Sequence, residues 1–325
     1  MAQEGSRTIF ITGGSGYLGS HLIAFLQREG GWRIGYTFLS NDVPAGTFGG
    51  ACGFRVDLAT GEGLDEALEA LGPVDVVVNT AAISQPALCE RDYARALAAN
   101  APAKLLDALE RRRAAGGGEP LLIHLSTDQV YDGSRAMWTE ADATEPVNAY
   151  GRSKLEAEQL IAARWPPGRA AALRASLIYG PEPPFPVGRP LFVQFVESAL
   201  REGRPTKFFE DEFRCPVYVF DICRVISHLG RQLPAGPAHA VYNLGGPQRL
   251  SRVDMAVAVA AHFGYDRGCI QATPSAEAGD RGYSSPPDIS MDMARLRADM
   301  PAVALTPFAE GLAEIFPAAS SRAAS

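Results

Sequence analysis

Cysteine is scarce in this chain and never sits in a short paired motif. The five cysteines, Cys52, Cys89, Cys215, Cys223 and Cys269, form no CxxC. Such an odd, scattered set argues against a disulfide scaffold or thiolate metal cluster and suits reduced thiols in the cytoplasm. The five histidines show no metal-ligand spacing, so no metal site is expected. No apolar run approaches the roughly 20 residues of a membrane span. The opening MAQEGSRTIF carries neither the apolar core of a signal peptide nor an Arg/Ser-rich presequence. Basic blocks are also missing: Arg111-Arg112-Arg113 is the longest, and it ends a predicted helix where cations suit the macrodipole. With a net charge of −7, nucleic-acid binding is not expected, and neither is a membrane partner. No internal repeat is visible.

What is present fits a globular protein. Hydrophobic residues make up 46% and charged residues 21% of 325, enough for a sizeable core in one large domain or two modest ones. Thr8–Thr12 reads as a short β-branched strand. It runs into Gly13-Gly14-Ser15-Gly16-Tyr17-Leu18-Gly19 and then the helical pattern SHLIAFLQREG. Strand, glycine turn and helix in this order form a dinucleotide-binding pattern. Gly13, Gly16 and Gly19 allow a tight turn, close approach of a pyrophosphate and close helix packing, and the helix N-terminus supplies free N–H groups.

Trp32–Phe38 is predicted as strand two. Dinucleotide folds that select NAD usually carry an acid near its end for the ribose 2′-hydroxyl. Here the tip is Thr37-Phe38-Leu39-Ser40-Asn41, and the first acid is Asp42. That leans towards NADP, with NAD as the alternative. Gly53–Leu58 is predicted as strand three, Gly63–Leu71 as an amphipathic helix and Val74–Ala82 as strand four. The small residues ending strand four suit backbone passing close to a cofactor. A long helix is expected over Arg91–Ala115, with Asn100 on its exposed side. The alternation of strands and helices means a doubly wound parallel sheet.

Leu122–Lys154 organises the rest. An apolar strand ends in Ser126-Thr127-Asp128, and a helix is expected to begin near Tyr150-Gly151-Arg152-Ser153-Lys154. Tyr150 and Lys154, four residues apart, share one helix face. An ammonium near a phenol lowers its pKa from about 10 and makes the tyrosine a workable proton donor near neutral pH. Thr127, at a strand tip where open α/β sheets bind ligands, could hold a substrate oxygen beside it.

Beyond this, Ala170–Tyr179 is expected as a sixth strand and PEPPFPVGRP as a proline-rich loop of the kind that carries lids and insertions. Further predictions are a helix over Leu191–Arg201, a strand over Glu212–Val219 and a helix over Asp221–Leu233. Val241–Leu244 is expected as a strand, Arg252–Phe263 as a helix capped by Ser251, and Asp288–Arg297 as a short helix. The expected division is a nucleotide-binding domain over 1–180 with returning segments near 213–245, a smaller substrate lobe over 181–318, and a disordered tail over 319–325.

Taken together, TGGSGYLG, STDQVYDG, PVNAYGRSK, LRASLIYG, FRCPVYVFD and NLGGPQRLSR resemble the extended short-chain dehydrogenase/reductase superfamily. Within it the chain is similar to the dTDP-4-dehydrorhamnose reductase group, which also contains the methionine adenosyltransferase regulatory beta subunits. The resemblance spans nearly the whole chain and implies a Rossmann fold. It implies that Gly13, Gly16 and Gly19 hold the cofactor pyrophosphate, that Tyr17 and Leu18 beside them bind the cofactor, that Asp57 and Leu58 lie by the adenine, and that Ala81 and Ala82 line the cofactor. It implies catalysis by Thr127, Tyr150 and Lys154, the last also holding the nicotinamide ribose, in reduction of a C4 ketone on a nucleotide-linked sugar by NADPH.

Two sugar-facing positions depart from the bacterial rhamnose reductases, which have a tyrosine where this chain has Gln129 and a tryptophan where it has Leu177. Arg214 either faces the nucleotide or sugar, or pairs at the surface with Asp211 or Glu212. Three functions are therefore in view. The first is a ketoreductase acting on a sugar nucleotide or related small carbonyl. The second is an NADP-binding regulatory subunit docked on the methionine adenosyltransferase catalytic subunit. The third, an epimerase with tightly held NAD, is disfavoured by the missing strand-two acid. A homodimer is compatible with each.

Overall fold

The computed structural model describes residues 6–40, 43–187 and 191–317. The alternation expected from the sequence is there. It runs β1 (Arg7–Thr12), α1 (Tyr17–Glu29), β2 (Trp32–Phe38), β3 (Cys52–Arg55), α2 (Leu64–Leu71) and β4 (Val76–Asn79). Helices α3 (Pro86–Arg91), α4 (Tyr93–Asn100) and α5 (Ala103–Ala114) follow, then β5 (Leu121–Thr127), α6 (Ala149–Arg164) and β6 (Ala170–Ala175). The remainder is shorter pieces: β7 (Ile178–Tyr179), α7 (Phe192–Arg201), β8 (Thr206–Phe209), β9 (Phe213–Arg214), β10 (Val217–Tyr218) and α8 (Val219–Arg231). The chain closes with β11 (Val241–Leu244), β12 (Leu250–Ser251), α9 (Arg252–Phe263), β13 (Ile270–Thr273), α10 (Ala294–Asp299) and α11 (Phe308–Ile315).

Seven strands form one parallel sheet in the order β11-β6-β5-β4-β1-β2-β3. Its central strands β1, β4 and β5 are buried on both faces, as a sheet covered on both sides requires. Ile9 and Ile11 of β1 pack with Leu22 and Leu26 of α1 and Ile222 and Val225 of α8 on one face. Phe10, between them, points the other way and packs with Leu68 of α2 and Leu105 and Leu109 of α5. Burying each such side chain contributes about 1.5–3 kcal/mol relative to exposure. The strand order reverses between β1 and β4, so a crevice opens at the C-terminal ends of those two strands. Above it lies a lobe with its own core, built from Val193, Val196 and Leu200 of α7, Met255 and Val259 of α9, and Phe308 and Leu312 of α11.

The sequence expectations hold at β2, β11 and α9, whose Ser251 closes a capping box with Asp254. Several other elements are shorter than expected. The helix expected over Arg91–Ala115 breaks into α4 and α5, because Pro102 cannot continue a helix and forces Ala101 into extended backbone. Strand three stops at Arg55, and Asp57 instead closes a turn in which its backbone pairs with Gly61 and Glu62. The sixth strand leaves the sheet after Ala175; Ile178–Tyr179 pairs with β10 in a separate small sheet. Pro216 splits the strand expected over Glu212–Val219 into β9 and β10. The helix expected at Asp288 begins only at Ala294. Asp288 accepts hydrogen bonds from Ser290 N–H and Oγ, which holds this stretch in a non-helical turn. Helices α3 and α11 and the parallel pair β8–β13 were not anticipated. Asp42, Gly188–Pro190 and the 319–325 tail lie outside the described residues. Among those residues no helix is long and apolar enough to cross a membrane. Nor does any group of three or more His, Cys, Asp or Glu among them have the geometry to hold a metal.

Candidate active site

The turn after β1 is shaped by glycine. Gly13 has φ +72°, and a Cβ there would lie 2.8 Å from the Ala81 backbone. Gly19 has no room either, since its Cβ would lie 2.3 Å from the Gly13 carbonyl oxygen. Gly16 differs: its Cβ would meet only that same oxygen, at 3.2 Å, and would otherwise project into a cavity that Gly16 lines. Thr37 at the end of β2 fixes the turn, accepting Gly13 N–H on Oγ1 at 3.0 Å and Gly14 N–H on its carbonyl at 2.8 Å. No side chain caps α1, so the first amides of a 13-residue helix face the crevice unserved. This cradle fits the pyrophosphate of a dinucleotide.

The cavity occupies about 480 Å³ and gathers most of the residues singled out in the sequence. Gly13, Gly16, Tyr17, Leu18, Gly19 and Ala82 line the sheet side. Thr127, Gln129, Tyr150 and Lys154 line the middle, and Leu177 and Arg214 the lobe side. Three residues expected at the cofactor are not in its lining. Ala81 packs beneath Gly13. Asp57 turns its carboxylate back to the Ala59 amide at 2.8 Å, and Leu58, next to it, packs against the core on the α2–α5 face. A second cavity, of about 440 Å³, is lined by the proline-rich loop Glu182–Val187 and shares Val187 and Leu191 with the first.

Helix α6 is aimed at the cavity by a chain of specific contacts. Asn148 caps it by accepting Gly151 N–H at 2.9 Å, and its own amide donates to Gln129 Oε1 at 2.8 Å. Gln129, expected to face the sugar, lines the cavity and through its Oε1 also anchors the helix cap. Lys154 is buried, 1% exposed, and donates to the Leu125 carbonyl at 2.7 Å. Burial pushes the ammonium down to about 8, against the opposing pull of Glu158 one turn along. Glu158 accepts from Ser126 Oγ at 2.5 Å and forms a buried ion pair with Arg174 at 2.7 Å. Arg174 also donates to Tyr131, which donates to Asn243. This network ties α6 to β5, β6 and β11 and so fixes the height of Lys154 above the sheet.

Thr127 Oγ1 donates to Asp128 Oδ1 at 3.1 Å and accepts the Gln129 amide at 3.2 Å. Asp128 is buried, and burial raises its pKa despite Arg214 nearby and a bond from Ser176 at 2.8 Å. Arg214 does not pair with a surface acid. It is 5% exposed, and its guanidinium donates to the carbonyls of Phe213, Pro286 and Pro287. Glu212 pairs instead with Arg281, and Asp211 accepts from Ser275.

Asn100 also departs from expectation. It is fully buried, and its amide donates to Ser153 Oγ at 2.8 Å while holding both backbone polar groups of Ile83. It clamps the exit of β4 against the residue before Lys154. The available signal was its place as the last residue of a helix broken by Ala101-Pro102. Asp128, Ser176 and Arg252 also line the cavity and were not singled out. Asp128 sits inside the STD triplet; nothing local marks the other two.

The chain matches the family described as RmlD substrate binding domain over residues 7–320. It is 30% identical to a dTDP-4-dehydrorhamnose reductase of Mycobacterium tuberculosis over 279 residues, covering 84% of this chain and 81% of that one. It is 29% identical to methionine adenosyltransferase 2 subunit beta of Danio rerio over 235 residues, 72% of this chain and 69% of that one. A solved dTDP-4-dehydrorhamnose reductase from Bacillus anthracis, in complex with NADP, superposes with a TM-score of 0.76 at 20% identity, covering 96% of this chain and 99% of that chain. That likeness establishes the fold.

Proposed function

Because the chain belongs to the RmlD substrate binding domain family, with the dTDP-4-dehydrorhamnose reductases, we propose that it is an NADP-dependent ketoreductase. Its substrate on this reading is a nucleotide-linked sugar or related small carbonyl, with the ketone at C4. The observation that carries the reading is Thr127, Tyr150 and Lys154 lining the same cavity as the α1 glycine turn. The uncapped amides of α1 and the open face of Gly16 would hold the cofactor's pyrophosphate, and Lys154 its nicotinamide ribose. The bound dinucleotide supplies a hydride. Tyr150 gives its hydroxyl proton to the developing alkoxide, so that ketone, hydride and proton sum to an alcohol. Lys154 stays mostly protonated at neutral pH and lowers the cost of the phenolate left behind. Thr127 orients the carbonyl oxygen, its own hydroxyl held by Asp128. The five unpaired cysteines support a cytoplasmic location.

The test is oxidation of NADPH, followed at its absorbance band, with dTDP-4-dehydrorhamnose as substrate and Tyr150→Phe as control. Turnover should fall by about 10²–10⁴-fold in the variant, with NADPH affinity nearly unchanged. Equal turnover in the two proteins removes Tyr150 from the mechanism.

The Danio rerio relative favours a second reading, a regulatory subunit of methionine adenosyltransferase. NADPH binding without turnover, together with co-elution with a catalytic synthetase subunit, would support it over the first.

A further inference from the structure

The proline-rich segment Glu182–Val187 has no part in the mechanism, yet it is held at its root and again at Phe185. At the root, the Gly180 carbonyl accepts from Gln194 Nε2 at 2.8 Å. The Pro181 carbonyl accepts the Tyr17 hydroxyl at 3.0 Å and lies 3.2 Å from His21 Nε2, both on the opening turns of α1. Four residues on, Phe185 is 6% exposed and meets Phe48 edge to face, with ring centroids 5.9 Å apart. Phe48 is buried too and belongs to the loop between β2 and β3, which Gln27 of α1 holds through the Gly49 carbonyl at 2.8 Å. Phe48 in turn meets Tyr36 edge to face at 5.5 Å, and Tyr36 packs against Gly14 of the glycine turn. The segment thus crosses the start of α1 from the lobe to the β2–β3 loop. Its Val187 lines the same cavity as Gly13 and Gly16, so it walls the pyrophosphate cradle from outside. Behind it lies the second cavity, which the segment itself lines with Leu191 and Gln194. Pro183, Pro184 and Pro186 restrict the backbone on both sides of Phe185, so the segment is stiff and moves as one piece.

We propose that Glu182–Val187 is a latch over the dinucleotide, fastened by the contact of Phe185 with Phe48. NADP(H) enters and leaves when Phe185 withdraws and the segment swings about Pro181 into the second cavity. The fastening joins two protein rings and uses no atom of the cofactor. Its opening therefore precedes entry and exit alike and slows both by the same factor, leaving affinity level. The inference rests on the dinucleotide part of the reading above and not on the reduction.

The test is stopped-flow fluorescence of NADPH binding, with dissociation followed by a chase of excess NADP. The proteins are wild type, Phe185→Leu, Phe48→Leu and the double variant. Leucine keeps most of the buried apolar volume, and melting curves check that each protein is folded. Both rates should rise roughly threefold to tenfold in each single variant, the worth of an aromatic pair, with Kd unchanged within about threefold. The double variant should be no faster than the faster single one, because either substitution removes the same contact. Equal rates in all four proteins overturn the latch, as do additive effects in the double variant. Faster dissociation alone, with affinity lost in proportion, would make Phe185 an ordinary cofactor contact and also overturn it. Wild-type protein that binds no NADPH defeats the cofactor reading and the latch together. Faster exchange in a protein that reduces no keto-sugar nucleotide defeats the reductase reading and leaves the latch standing.

Discussion

Gly16 and Arg252 line the same cavity and contribute in contrary ways. The Gly16 side is made of backbone: a glycine turn, uncapped helix amides and the small Ala82 at the tip of β4. It recognises by leaving space and by presenting N–H groups common to every residue. The Arg252 side is made of long side chains, Arg214, Arg252 and Leu177, held by a short strand, the start of α9 and a connecting segment. Such a wall can recognise a ligand only by particular atoms. A backbone wall tolerates change in what the rest of the chain does, because any sequence that makes the turn makes the site. A side-chain wall can be rewritten one residue at a time. The shared part of the chemistry is therefore expected on the first wall, and the part that distinguishes one substrate from another on the second.

Three measurements test that contrast. The largest effect should come from the backbone wall. Gly16→Val should weaken NADPH binding roughly a hundredfold, about 2.8 kcal/mol, with little loss of stability. The position has φ −84° and ψ 172°, which a side chain accepts, and its Cβ would meet only the Gly13 carbonyl oxygen, at 3.2 Å, a tight contact relieved by a shift of a few tenths of an ångström. Gly19→Ala, by contrast, should lower the melting temperature, since its Cβ would overlap the Gly13 carbonyl. Normal NADPH affinity in Gly16→Val would remove the turn from the cofactor site.

A pH series should separate Lys154's two effects. Its folded pKa of about 8 lies below the ordinary 10.5, so between those values the unfolded chain holds more protons and stability rises with pH. Activity should move the other way. As the ammonium is lost above about pH 8, kcat/KM should fall towards tenfold per pH unit. A flat profile to pH 10 would detach Lys154 from catalysis.

The smallest effect should come from the side-chain wall. Gln129→Tyr with Leu177→Trp should raise activity on dTDP-4-dehydrorhamnose by a few-fold, about 1 kcal/mol. The gain is limited because Gln129 also anchors the Asn148 cap. No gain would mean that these positions do not set specificity.

The backbone wall was legible in the sequence because its signals are contiguous, strand, glycine turn and helix within 30 residues; the pair Tyr150 and Lys154 was legible for the same reason, lying within one turn. The doubly wound sheet was legible because β-branched runs alternate with amphipathic helices. The side-chain wall was legible only in part: Leu177 and Arg214 were expected there, and Arg252 was not. Arg252 reads as an ordinary first residue of a capped helix, and Asn100 as an ordinary polar helix residue, until the fold brings them to the cavity and to Ser153. Asp57 stands outside the cavity lining for a local reason. It ends a predicted strand, but the strand stops early and the carboxylate serves its own turn. Prolines 102 and 216 placed breaks that periodicity alone runs through.

The return of β11 to the main sheet bears on how such a protein can be recombined. The chain leaves the sheet after Ala175, builds part of the lobe, and comes back at Val241–Leu244 to pair with β6, while α8 returns to pack on α1. A hybrid made at a single junction near Gly180 would therefore strip an edge strand and a covering helix from the nucleotide-binding half. Exchanging lobes between relatives calls for separate grafts, one between β6 and α8 and others on either side of α10, because Leu296 and Met300 of α10 also pack in the sheet core. The lobe is an insertion woven through the sheet rather than a module appended to it.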